Sequence, residues 1–180
     1  MKTVPLLNIE PLTPDAFCRY GWVLGNPVTY DNDQPFYNSD TFSVWREHLF
    51  DAGAPNETEI LWSRFKDGDL MVRSLETRWL TQEAVVPLTG PLIQIVAVSD
   101  ESGEPDIDSV RAFTVPVGMG TCVRPHSWYA IRVLGDEVEA FVLSRRSATN
   151  DLIAHGREGR PTAQSKLRPI AARELVRYLK

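Results

Sequence analysis

The chain has 180 residues, 43% of them apolar, and a formal net charge of -5; this suits one domain with a sizeable core. Acids and bases are interspersed, so neither a nucleic-acid surface nor a membrane-binding face is expected, and the longest apolar stretch, Leu92 to Val98, is far too short to span a bilayer. Met1-Lys2-Thr3-Val4-Pro5 lacks the apolar run of a secretory leader and Cys18 and Cys122 lack CxxC spacing, which together predict a cytoplasmic protein with two small buried thiols.

Thr13-Pro14-Asp15-Ala16-Phe17-Cys18 reads as a short helix, with Thr13 as cap, Pro14 at the first helical position and Gly21 placed to end it. Residues 25 to 40, rich in Asn, Asp, Pro and Tyr, read as a long loop, and Trp45 to Phe50 has strand or turn character. A run of strands follows. Residues 59–65, 70–79, 84–88, 92–98, 110–115, 128–134 and 138–143 are apolar or alternating. Turn residues separate them at Asp67-Gly68-Asp69, Thr89-Gly90-Pro91, Ser102-Gly103-Glu104-Pro105, Gly118-Met119-Gly120 and Gly135-Asp136. Short strands at this spacing predict a mainly β, closed or double-sheet fold of the jelly-roll kind, as one domain over residues 1–180. Pro169 to Lys180, with Ile170, Leu175, Val176 and Leu179, reads as a C-terminal amphipathic helix.

Two segments carry the chemistry: Glu76-Thr77-Arg78-Trp79-Leu80-Thr81-Gln82-Glu83, and Gly120-Thr121-Cys122-Val123-Arg124-Pro125-His126-Ser127-Trp128-Tyr129. Their outline resembles the two cupin motifs, which in metal-binding members supply His-x-His with Glu, and then a Pro-Gly turn with His. Here Arg78 stands at the second histidine position and Tyr129 at the last. A guanidinium offers donors only and repels a divalent ion, so neither a metal nor an organic cofactor is expected.

From Leu75 to about Asp151 the chain resembles the ureidoglycolate lyase family, cupins that split ureidoglycolate into glyoxylate and urea. The resemblance rests on Leu75-Glu76, Ala84-Val85-Val86-Pro87-Leu88, Pro105-Asp106-Ile107-Asp108-Ser109-Val110-Arg111-Ala112-Phe113, Gly118, Gly120 and Trp128, and on Pro11 to Phe17 with Tyr20-Gly21. It implies a cupin barrel, usually a homodimer. The family typically has Glu-x-His and then Gln, and later Trp-His. This chain keeps Glu76 and Trp128 but has Arg78, Glu83 and Tyr129 elsewhere in the pattern, and His126 where relatives tend to carry glycine or another small residue.

The two-residue spacing of Glu76 and Arg78 puts both on one strand face, expected to be the barrel interior, with Glu83 entering from the next strand. Arg78 between two carboxylates is expected to favour their ionised forms. Glu76 is the preferred base, and His126 and Tyr129 are the candidate proton donors. Arg78 or Arg124 is placed to clamp a carboxylate; Glu83, Trp62 and Trp128 complete the candidate binding set. Each has a plainer reading: His126 as a turn residue, Arg124 as a solvated rim residue, Trp62, Trp79 and Trp128 as core, Arg111 as a salt-bridge partner, and Arg145-Arg146 as surface or dimer contact. Three functions stay open on a small-molecule substrate. They are a lyase on a small carboxylate, a metal-independent isomerase, cyclase or dehydratase on a larger metabolite, and a non-catalytic ligand-binding cupin.

Overall fold

The computed structural model describes residues 4–25, 37–54, 57–66, 68–135, 137–159 and 163–177. Most of the loop expected over residues 25–40, and Asp67 and Asp136 of the expected turns, lie outside them. The elements run β1 (Leu6–Pro11), α1 (Pro14–Phe17), β2 (Gly21–Leu24), β3 (Tyr37–Asn38), β4 (Ser43–Val44), β5 (Thr58–Phe65), β6 (Met71–Arg78), β7 (Glu83–Pro87) and β8 (Leu92–Ala97). A 3-10 turn (Ile107–Ser109) leads to β9 (Arg111–Val115), β10 (Gly120–Val123), β11 (Trp128–Arg132), β12 (Val138–Arg145), α2 (Arg146–Glu158) and β13 (Ser165–Arg177).

Six strands close on themselves in the order β1-β13-β6-β11-β8-β9, and five more form a sheet in the order β2-β10-β7-β12-β5. Strand alternation divides the apolar residues between two cores. One is drawn from every strand of the ring and includes Leu7, Ile9, Leu75, Ile95, Ala112, Trp128 and Leu175. The other joins the ring to the five-stranded sheet through Phe17, Val85, Val96, Phe113, Val123, Tyr129, Ala140 and Val142. The mainly β, double-sheet expectation therefore holds, with the seven expected strands all present.

The N-terminal helix is as read: Thr13 Oγ1 accepts from the Ala16 amide at 3.3 Å, with Pro14 in the first turn. Gly21 has a different purpose. It opens β2 rather than ending α1, and a Cβ there would fall 2.0 Å from the Cys122 carbonyl oxygen across the β2–β10 pair. Two backbones approach too closely for any side chain.

The C-terminal helix read at residues 169–180 is corrected. The second helix is α2, which ends at Gly159 in the left-handed conformation with φ of 62°, a terminator visible in the sequence. Residues 165–177 are instead a strand, antiparallel to β6 and parallel to β1. The apolar spacing there fits either period, and the open edges of β1 and β6 decide it: without β13 the ring does not close. Pro169, which lacks an amide donor, sits where the β13–β6 register shifts between Pro169 and Arg173. Trp45 to Phe50 takes up no regular structure. Cys18 is exposed, contrary to expectation, while Cys122 is buried and burial, with Glu83 nearby, pushes its thiol up to about 12.

Leu175 is 1% exposed in the ring core. Leu175→Ala should therefore cost about 2–5 kcal/mol in urea unfolding, whereas a solvated terminal helix would lose far less.

Candidate active site

Period-two alternation along β6 turns Ser74, Glu76 and Arg78 to one face. That face looks out of the closed ring, across to the five-stranded sheet, because the opposite face supplies Leu75 to the ring core. The shared face was legible from spacing, but its surroundings differ from the expected interior of a single barrel. Tyr129 of β11 lies directly opposite Glu76 in the ladder, and Glu83, the first residue of β7, comes in from the facing sheet.

Together these residues form the polar part of a cavity of about 330 Å³. Ser63, Ser74 and Arg132 add to that part, and Leu61, Phe65, Ile131, Val142, Leu152 and Leu167 supply apolar wall. At its centre Arg78 Nη1 lies 2.6 Å from Glu83 Oε2 and also donates to Ser144 Oγ on β12. Arg78 and Glu83 are only 6% and 7% exposed. Arg78 Nε has no hydrogen-bond partner, Glu83 Oε2 meets the Arg78 guanidinium, and the Tyr129 hydroxyl is turned toward Glu76 and Arg78. Buried polar groups are ordinarily fully satisfied, so this sparsely bonded cluster marks a place shaped for a guest.

The electrostatics correct one expectation. Arg78 was expected to keep both carboxylates ionised. Burial, followed by the negative charge of Glu83, outweighs Arg78 and the Tyr129 hydroxyl, and raises Glu76 to about 7. Glu76 can therefore hold or release a proton at neutral pH. Burial also lifts Tyr129 well above 10, against the opposing pull of Arg78, so it remains a phenol. For Arg78 burial disfavours the charge, but Glu83, Tyr129 and Glu76 more than compensate and its pKa is raised.

A divalent ion does not fit this set. The Arg78 guanidinium occupies the middle of the cluster, and among the described residues no group of three or more His, Cys, Asp or Glu side chains is placed to hold a metal ion.

Of the eight candidate residues, the structure brings together Glu76, Arg78, Glu83 and Tyr129, and places the other four elsewhere. His126 is an exposed turn residue with φ of 67°. Its amide donates to the Arg78 carbonyl at 2.8 Å and its carbonyl accepts from Ser99 Oγ at 2.7 Å. The left-handed backbone is one that favours glycine, and His126 occupies it here. Arg124 is exposed and stacks over Trp22 at 4.5 Å, with His48 stacked on the same indole at 4.1 Å. Trp62 is 61% exposed on the outer sheet face, edge-on to Phe141. Trp128 is fully buried in the ring core, its indole N–H donating to Ser99 Oγ at 3.0 Å.

Arg111 takes the plain reading, paired through Nε and Nη2 with Glu10. Arg145 does not lie at the surface: it is 6% exposed and donates to Ser147 Oγ and the Ala54 carbonyl. Sequence reasoning missed Ser74, Ser144 and Arg132. Ser74 was available from the same alternation that paired Glu76 with Arg78. Ser144 is 66 residues from Arg78 and nothing local marks it.

Two outcomes test this arrangement. Glu83→Gln should destabilise the fold by about 3–5 kcal/mol, because a buried guanidinium loses its counter-charge, and should lower the apparent pKa of Glu76 in a carboxylate NMR titration. For the pH dependence, Glu76 holds its proton in the folded state to about 7 but loses it near 4.5 when unfolded. Its contribution to stability is therefore present below pH 4.5 and falls away as pH rises to 7. Relative to Glu76→Gln, wild type should lose up to about 3 kcal/mol across that window, read from urea unfolding at each pH.

The ureidoglycolate lyase family model matches residues 4–158. A ureidoglycolate lyase of a Chelativorans species is 27% identical over 150 residues, covering 79% of this chain and 87% of that protein. Its counterpart in Escherichia coli O6:H1 is 28% identical over 129 residues, covering 68% of this chain and 76% of that one. A solved dTDP sugar isomerase from Desulfovibrio desulfuricans G20 overlaps 59% of this chain and 69% of its own, at 15% identity and a TM-score of 0.37.

Proposed function

This chain belongs to the ureidoglycolate lyase family, and from that premise we propose that it breaks the C–N bond of a small hydroxy-carboxylate of the ureidoglycolate type by moving one proton within the Glu76 cavity. The observation that carries this is the placing of a carboxyl group with a pKa of about 7 opposite a neutral tyrosine and beside a fixed guanidinium.

The reaction asks little more. Ionised Glu76 takes the substrate hydroxyl proton, and the O–H electron pair becomes the second bond of the new carbonyl. The C–N bond breaks, its electrons stay on the urea nitrogen, and Glu76 returns the same proton to that nitrogen. Products are glyoxylate and urea, and the carboxylate ends as it began. One group suffices because its pKa lies near the working pH in both directions. The Tyr129 phenol, directly opposite Glu76, donates a hydrogen bond to the oxygen on which charge develops. Arg78 is held by Glu83 and Ser144 and keeps Glu76 from rising beyond the useful range.

A second reading rests on the apolar wall. Leu61, Phe65, Val142, Leu152 and Leu167 suit a larger, less polar molecule, and acid–base residues of this kind also serve an isomerase, cyclase or dehydratase. The volume of about 330 Å³ lies at the small end for ligand cavities and favours the lyase. The family resemblance also implies a homodimer, which analytical ultracentrifugation reads directly.

The test is release of glyoxylate and urea from ureidoglycolate, run with a chelator and again with added manganese. Turnover is expected in both conditions, since the donor set does not suit a metal. Glu76→Gln should lower kcat/KM by about 10²–10⁴-fold, and wild-type kcat/KM should rise with pH and level off above about 7 as Glu76 ionises. No release in either condition overturns the lyase; ligand binding with no turnover of any carboxylate leaves a binding protein.

A further inference from the structure

The cavity holds two arginines, and their situations differ. Arg78 is already spoken for: its Nη1 serves both Glu83 and Ser144, and the Glu83 charge balances its own. Arg132 is not. It closes β11 and lines the cavity, and its Nη1 donates to the neighbouring Ile131 carbonyl at 2.8 Å. Among the described residues it makes no ion pair with any carboxylate. Asp69 feels the charge of Arg132, but its carboxylate is engaged by Arg73 and the Met71 amide.

We propose that Arg132 is the specificity-determining residue of this cavity, the cation that holds the substrate's carboxylate; the inference rests on the cavity reading above and extends it. Charge balance is the first reason. With Glu76 ionised, Glu76, Glu83 and Arg78 sum to one negative charge, which repels an anionic substrate. Arg132 brings the sum to zero and makes room for a carboxylate. Position is the second. Arg132 lines the same cavity as Glu76, Arg78 and Tyr129, and its Cδ lies 3.9 Å from where a Cβ on Gly68 would sit, beside the exposed β5–β6 connection. The carboxylate is thus anchored at the mouth, and the hydroxyl and nitrogen are directed inward to Glu76 and Tyr129. A planar guanidinium with uncommitted donors suits the two oxygens of a carboxylate.

The experiment compares binding of oxamate and its neutral amide, oxamide, by titration calorimetry. Wild type should prefer oxamate by about tenfold or more. Arg132→Gln should abolish the preference, Arg132→Lys should keep part of it, and the melting temperature should be unchanged in both. With ureidoglycolate, Arg132→Gln should raise KM about tenfold while kcat stays within about threefold. No oxamate preference in wild type, or one that survives Arg132→Gln, overturns the proposal even if lyase turnover is found. An Arg132-dependent preference in a protein that never releases glyoxylate sinks the lyase reading and leaves Arg132 as the anion site.

Discussion

The buried contact of Arg78 with Glu83 and Ser144 is the constraint around which the cavity is arranged. It joins β6 of the closed ring to β7 and β12 of the facing sheet. Burying two charges has a large desolvation cost, offset only when geometry and further hydrogen bonds are good. Here the offset is incomplete, since Arg78 Nε lacks a hydrogen-bond partner. The pair therefore says little about stability and much about the site. It sets a negative charge near Glu76, a positive one on the same strand, and leaves donors and acceptors turned to the cavity.

Glu76 shows what that arrangement does. A carboxyl group in water is ionised at neutral pH, and one beside an arginine ordinarily more so. Burial and Glu83 reverse the outcome and bring it to about 7. In the metal-binding cupin pattern these positions hold an ion whose charge dominates its surroundings. In this chain a fixed cation and its counter-ion stand there, beside a carboxyl group poised near neutrality. The scaffold accommodates these residues because the barrel depends on alternation along the strands and not on what fills the cavity.

Much of this was legible in the chain itself. Strand periodicity located seven strands, Thr13-Pro14 located the first helix, the two-residue spacing put Glu76 and Arg78 on one face, and the motif resemblance added Glu83 and Tyr129, all four of which line one cavity. Each of these is a local property: period two fixes which residues share a face, and a cap needs only its own turn. The same local logic failed for residues 165–177, whose apolar pattern permits two periods, and for Gly21, whose smallness serves a partner strand far along the chain.

What the sequence determined by itself was the β class, the pairing of faces and the absence of histidine ligands from the motif positions. Only the tertiary structure decided the rest. It turned the Glu76 face toward the second sheet, sent Trp128 to the ring core and Trp62 to solvent, put His126 and Arg124 outside the cavity, and brought in Ser144 and Arg132. It also decided the protonation of Glu76, because a pKa is the sum of burial and of charges from other strands. Neither quantity exists until those strands have packed together.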